Sequence, residues 1–156
     1  MTISLKEGAK APAFSLNADD GSKIALKDLK GKKVVLYFYP KDDTPGCTKE
    51  AIAFSEDIAK FKRAGAVVIG VSRDSVAKHQ KFKNKHELKV ILGADEDGDV
   101  TEKYGVWVEK NMYGRKYMGI ERATFLIDEK GSLRKMWRKV KVAGHAGEVL
   151  SAVKSL

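Results

Sequence analysis

The sequence predicts a mixed α/β (α+β) domain, with a central sheet of mixed strand direction and helices packed on it. Two observations carry that expectation. Lys33 to Tyr39 (KVVLYFY), Ala66 to Ser72 (AVVIGVS) and Ala123 to Asp128 (ATFLID) are apolar, β-branched or aromatic through most of their length. That is the composition of strands buried on both faces. Between the first two, residues 45–64 place Ala51, Phe54, Ile58 and Phe61 at helical spacing, which makes one apolar stripe. Strand and helix signals in alternation favour a sheet with helices laid on it.

The remaining elements follow in order. Phe14 to Ala18 and Lys23 to Leu26 flank Asp20-Gly21, a hairpin turn signal. Pro40 ends the first central strand, and Gly65 stops the helix that follows it. A helix is expected from about Ser75 to His86, with Val76 and Phe82 facing inward. A short strand (Val90 to Leu92) and a short helix (Asp97 to Tyr104) come next, and Val106 to Val108 is expected to pair with Arg115 to Met118. Glu129-Lys130-Gly131 turns the third central strand into Leu133 to Val140, and a last helix runs from about Ala146 to Val153. No repeat or linker divides the chain, and its length fits one domain over residues 1–156.

Composition narrows the function classes. There are 30 Lys and Arg against 21 Asp and Glu, a net charge of +9. The basic residues are spread over several stretches, including Lys78 to Lys89 and Lys130 to Lys141. They read as a solvated exterior rather than a nucleic-acid interface. No apolar run approaches membrane-spanning length. The opening MTISLKEGAKAP has no secretory h-region, so cytoplasmic residence is expected. The chain has one cysteine, Cys47, so an internal disulfide is impossible. His79, His86 and His145 are scattered without a third ligand, so no metal site is expected. No Gly-rich phosphate loop is present.

The informative segment is Pro40-Lys41-Asp42-Asp43-Thr44-Pro45-Gly46-Cys47. It lies between a central strand and a helix, at the carboxyl end of the strand, where open α/β sheets gather their ligands. Thr44 suits a helix N-cap and Pro45 the first helical position. Cys47 then falls in the first turn, where unpaired N–H groups and the positive end of the helix dipole favour thiolate over thiol. Gly46 allows close backbone approach to a small ligand. Taken alone, the same residues are equally a turn and cap, with Cys47 as a small core filler.

The segment resembles the peroxiredoxin active-site pattern: Pro, three residues, Thr or Ser, two residues, Cys. It is met here by Pro40, Thr44 and Cys47. The string DDTPGCTKEA (Asp42 to Ala51) is similar to the subgroup called bacterioferritin comigratory protein or peroxiredoxin Q. APAFSL, LYFYPKDDTPGCTKEA, VVIGVSRDS, EKYGVW, ERATFLIDEKG and WRKVKVAGHAGEVL carry the resemblance over nearly the whole chain, in the family's order. It implies a thioredoxin-like fold and a peroxidase that needs no cofactor. Cys47 would attack hydrogen peroxide or an organic hydroperoxide and become a sulfenic acid. Thr44 and the Cys47 N–H would orient the peroxide oxygens. Arg122 would stabilise the thiolate and the charge moving onto oxygen. Pro40 would shield the sulfur from bulk water. Relatives in the subgroup are often monomers, and a monomer is expected here.

The chain departs from the family in one respect. Many relatives carry a resolving cysteine five residues after the first, where this chain has Ile52. Others carry it on the next helix, where residues such as Phe82 and Asn84 stand. An external thiol must then recycle Cys47: glutathione, a glutaredoxin, thioredoxin or a second chain. Ile52 is expected to pack the helix and keep it folded during turnover. Three other readings stand beside the peroxidase. One is a redox sensor or binding module with negligible turnover on the same fold. One is a basic nucleic-acid-binding protein with Cys47 incidental. The last is a Cys–His hydrolase using His145. Trp107 and Trp137 read as packing aromatics, either of which could wall the site.

Overall fold

The computed structural model describes residues 5–156. The chain runs β1 (Ser15–Ala18), β2 (Lys23–Ala25), a 3-10 turn (Leu26–Leu29), β3 (Lys33–Phe38), α1 (Pro45–Glu56) and α2 (Ile58–Arg63). It continues with β4 (Ala66–Ser72), α3 (Val76–His86), β5 (Ile91–Ala94), α4 (Asp99–Lys103), β6 (Trp107–Met112) and β7 (Arg115–Ile120). It closes with β8 (Ala123–Ile127), β9 (Leu133–Trp137) and α5 (His145–Lys154). Seven strands form one sheet in the order β2-β1-β5-β4-β3-β8-β9, and β6 and β7 form a separate two-stranded sheet. β3, β4 and β5 are parallel, while β8 runs antiparallel to β3 and β1 antiparallel to β5. This is the mixed sheet expected from the sequence.

β3 holds the centre because both of its faces are buried. Val35, Tyr37 and the following Tyr39 join Cys47, Ala51, Phe54, Phe61, Phe82 and Val149 in one core cluster. Val34, Leu36 and Phe38 join Val100, Tyr104 and Phe125 in the other. Side chains alternate across a strand, so one sequence run supplies both cores. Helices α1, α2, α3 and α5 pack on the first face, and α4 on the second.

The structure corrects several boundaries. The single helix expected over residues 45–64 is two, broken at Asp57, whose N–H bonds back to the Phe54 carbonyl three residues earlier. That tightened turn still leaves Phe54 and Phe61 buried on one side, with ring centroids 5.8 Å apart. In α3 the inward positions belong to His79 and Phe82 rather than Val76 and Phe82; Val76 is only half-buried. The short strand expected at Val90 to Leu92 is shifted to Ile91–Ala94, and the β6–β7 hairpin is longer than expected.

One close approach links the sheet to α1. Gly70 on β4 sits opposite Tyr37 on β3, and a Cβ there would lie 2.5 Å from the Tyr37 ring carbon Cζ. The ring uses that space and stacks on Phe54 of α1 at 4.7 Å. Gly70→Ala is therefore expected to destabilise the fold by about 1–3 kcal/mol through overpacking, read as a lower urea midpoint at unchanged slope. An unchanged midpoint would mean that the Tyr37 ring does not rest on that backbone.

Candidate active site

Sheet register brings the two ends of the site together. β3 and β8 pair antiparallel, with Phe38 opposite Ala123 as the last rung. Arg122, one residue before that rung, is thereby placed beside the loop that leaves β3 for α1. Its guanidinium Nη2 lies 3.4 Å from the Cys47 Sγ and donates to it. These residues are 75 positions apart in sequence. Cys47 is 2% exposed and sits in the first turn of α1.

Thr44 is the N-cap of α1 with extended backbone, as expected, and Pro45 is the first helical residue. The Thr44 hydroxyl does not cap the helix. It donates instead to the Lys41 carbonyl at 2.8 Å. That bond spends its proton and leaves the oxygen lone pairs free to accept. The first intrahelical bond runs from the Thr48 N–H to the Thr44 carbonyl, so the Gly46 and Cys47 N–H groups have no intrahelical acceptor. A Cβ on Gly46 would lie 3.2 Å from Arg122 Nη2, so glycine leaves the guanidinium room over the helix start. Pro40 is exposed where the chain leaves β3.

Glu50 is the site residue that sequence reasoning missed. It is 1% exposed, and its Oε1 accepts from Arg122 Nη1 at 2.6 Å. Arg122 thus spans from a carboxylate to a sulfur. Glu50 stands three residues after Cys47, on the same face of α1, and that spacing was the available signal. Burial pushes its carboxyl up to about 7, against the pull of Arg122. Burial, then the charges of Glu50 and Cys47, push the Tyr37 phenol well above its ordinary value. Tyr37 Oη and Glu50 Oε2 are buried with no hydrogen-bond partner among the described residues.

The loop before Cys47 is tied to α3. Asp42 is buried and accepts from the Tyr39 hydroxyl. Its Oδ2 lies 2.6 Å from Nδ1 of the fully buried His79. His79 Nε2 lies 2.9 Å from the Gly93 carbonyl, which can only accept, so Nε2 carries a proton. The Asp42 N–H donates to Asp74. Asp43 takes a left-handed backbone (φ 60°) and pairs with Lys85 at 2.7 Å and His86 at 2.8 Å. Asp42 and Asp43 thus have partners on α3. They anchor the loop across 37 to 43 residues of sequence, a distance no local pattern reveals.

Other candidates fall elsewhere. The His145 Nε2 is 2.7 Å from the Thr124 hydroxyl, and its ring packs edge-on against Phe54 and Trp137. Its partner is thus a threonine. The Trp107 ring lies under the Arg73 guanidinium at 3.3 Å, and Trp137 donates to Glu148. Among the described residues, no cluster of three or more metal-ligating side chains occurs, and no helix is long and apolar enough to cross a membrane. Ile52 is half-buried on α1 and packs against the core cluster that contains Cys47. Phe82 is buried and Asn84 is exposed on α3.

Two buried groups give stability opposite pH slopes. The folded Glu50 carboxyl binds its proton up to about 7, well above its ordinary 4.5, so its contribution is full below 4.5 and lost as pH rises through about 7. Burial holds His145 below its ordinary 6.5, with Arg122 helping and Glu148 opposing. Its contribution is full above 6.5 and lost as pH falls below it. Urea unfolding between pH 5 and 8 is expected to show Glu50→Gln gaining on the parent as pH rises, by on the order of 2 kcal/mol. His145→Gln is expected to flatten the acid side. A Glu50→Gln difference independent of pH would contradict the raised carboxyl.

The AhpC/TSA family model matches residues 8–136. A putative peroxiredoxin bcp of Coxiella burnetii is 56% identical over 148 residues, covering 95% of this chain and 98% of the relative. Peroxiredoxin Bcp of Bacillus subtilis is 51% identical over 156 residues, covering 100% and 98%. Among solved structures, a cysteine-to-serine mutant of Xylella fastidiosa PrxQ superposes with a TM-score of 0.93 at 37% identity, covering 98% of each chain. The bacterioferritin comigratory protein of Xanthomonas campestris, described for its alkyl peroxide reduction activity, gives 0.87 at 44% identity, covering 91% of this chain and 90% of that one. With a cysteine under an arginine at the first turn of α1 and these likenesses over almost its full length, the chain belongs to the AhpC/TSA family of peroxiredoxins, in the Bcp or PrxQ group.

Proposed function

We propose that this chain reduces hydrogen peroxide and organic hydroperoxides at Cys47 and is recycled by an external thiol. The observation that carries the reading is the 3.4 Å contact between the Arg122 guanidinium and the Cys47 sulfur at a helix start. A thiolate there attacks the terminal peroxide oxygen, the O–O bond breaks, and the leaving oxygen takes a proton as water or alcohol. Cys47 is left as a sulfenic acid. Thr44 suits a peroxide, because its lone pairs can accept the hydroperoxide O–H while its own proton is held by Lys41. The free Gly46 and Cys47 N–H groups and the Arg122 fork supply donors where negative charge develops. Glu50 is a positioning residue that holds the other arm of that fork. Organic hydroperoxides are included by likeness to the Xanthomonas protein. Pro40 shields the sulfur in this reading. The protein acts as a monomer in the reducing cytoplasm, in keeping with its single thiol.

Recycling cannot use an internal disulfide, since Cys47 is the one cysteine. The thiol of a thioredoxin, a glutaredoxin or glutathione must attack the sulfenic sulfur. The deep burial of Cys47 also suits the sensor reading, in which oxidation outlasts turnover.

Peroxide consumption by the reduced protein, with intact mass before and after, separates these readings. Multiple turnover with a supplied thiol, abolished in Cys47→Ser, is the expected result. Arg122→Met is expected to slow the peroxide step about 100- to 1000-fold, the scale of losing one preorganised donor to developing charge. One oxidation per chain with no turnover under any thiol would favour the sensor, and an unreactive Cys47 would end both readings.

Ile52→Cys tests the helix. Residues five apart on an intact α-helix are separated by about 7.5 Å of rise, beyond disulfide reach. Peroxide is expected to join Cys47 to the introduced thiol only with partial unwinding of α1, seen as lost helical ellipticity. A disulfide formed with ellipticity unchanged would contradict the placement of residue 52 on the same helix.

A further inference from the structure

We propose that the face of the β6–β7 hairpin carrying Lys110 and Arg115 binds the reductant, and that this reductant is a small anionic thiol bearing carboxylates, of the glutathione class. The inference rests on the peroxidase reading above. It commits recycling to one kind of thiol and names the surface that selects it.

Register defines the face. Lys110 pairs with Tyr117, Met112 with Arg115, and Val108 with Gly119. These rungs share one side of the ribbon, and Glu109, Asn111, Lys116 and Met118 share the other. Lys110 and Arg115 are diagonal neighbours on this face. Neither has an acidic partner among the described residues. Glu109 is taken by Lys116 at 3.8 Å and Glu121 by Arg138 at 2.9 Å. Met112 and Tyr117 leave 56% and 41% of their surface exposed on the same face. The result is a cationic strip with an apolar edge, on a ribbon outside the main sheet.

Lys110 is turned toward the base of the ribbon. A Cβ on Gly119 would lie 3.2 Å from Lys110 Cδ and 3.5 Å from Cε. The bare glycine thus lets the lysine stem run along the ribbon toward its base, where β7 leads into Arg122. The ammonium there feels the charges of Arg122, Cys47 and Glu121, and burial followed by Arg122 holds it below its ordinary value.

The sulfur favours a slender partner. Cys47 is recessed under Arg122, and no second cysteine carries the oxidised state to the surface. A tripeptide thiol can set its carboxylates on Lys110 and Arg115 and extend its thiolate toward Arg122. That thiolate attacks the Cys47 sulfenic sulfur. An S–S bond forms, the S–O bond breaks, and the leaving hydroxide takes a proton to become water. A second thiolate then attacks the mixed disulfide, forming the small-molecule disulfide and releasing Cys47 thiolate.

The test reads the two half-reactions apart. Cys47 is first oxidised with one equivalent of hydrogen peroxide and checked by intact mass. The sulfenic acid is then reacted with glutathione (net negative), 2-mercaptoethanol (neutral) or cysteamine (positive), in the parent, Lys110→Gln, Arg115→Gln, the double variant and Lys110→Arg. The glutathione rate is expected to fall about threefold to fivefold for each lost cation and to lose its salt dependence in the double variant. The 2-mercaptoethanol rate should hold, cysteamine should speed up, and Lys110→Arg should keep the parent glutathione rate. Equal changes with all three thiols, or no change with glutathione, would overturn the proposal and leave the peroxidase intact. Failure of Cys47 to oxidise in the first step would overturn the peroxidase reading itself and this proposal with it.

Discussion

The pairing of β3 with β8 is the constraint on which the Cys47 site depends. The rung between Phe38 and Ala123 ends both strands at the same edge of the sheet. It leaves Arg122 on one side and the loop into α1 on the other. A slip of one residue would turn the arginine to the opposite face of the sheet. The register is held by burial, because Val34 to Phe38 and Ala123 to Ile127 have both faces covered. The hydrophobic core therefore sets the position of a polar contact at its own edge, between Arg122 and the buried Cys47.

Around that contact the chain combines opposed tendencies. Arg122 brings a cation to the sulfur, and burying a cation is costly unless it is paired. Glu50 supplies the pair, yet a buried carboxylate has the same cost, and its proton affinity rises accordingly. The arginine is shared between two acceptors, the Glu50 carboxyl and the Cys47 sulfur. Tyr37 adds a buried hydroxyl to the same neighbourhood, pressed against Phe54 by the space that Gly70 leaves. Tyr37, Phe54 and Cys47 belong to the same core cluster.

The loop from Pro40 to Thr44 has to be held by other means, since it lies outside the sheet. Asp42 and Asp43 do this. Asp42 reaches the buried His79, and Asp43 reaches Lys85 and His86. All three partners are on α3. The helix serves as an anchor, with Phe82 in the core and no thiol on it.

Much of this was legible in the amino-acid order. The central strands, the helix start at Thr44-Pro45 and the place of Cys47 in its first turn are local patterns, set by side-chain periodicity and backbone preference within a few residues. The motif and its likeness to a family also marked Arg122. The break at Asp57 was not legible, because one apolar stripe fits a bent helix as well as a straight one. Nor was the turn of the Thr44 hydroxyl away from its cap. Only the tertiary structure decided that Arg122 meets Cys47 and Glu50, that His79 is a buried partner of Asp42, and that His145 belongs to Thr124. Each of these contacts joins residues distant in sequence. Their geometry comes from sheet register and shared burial, which no short stretch of chain contains.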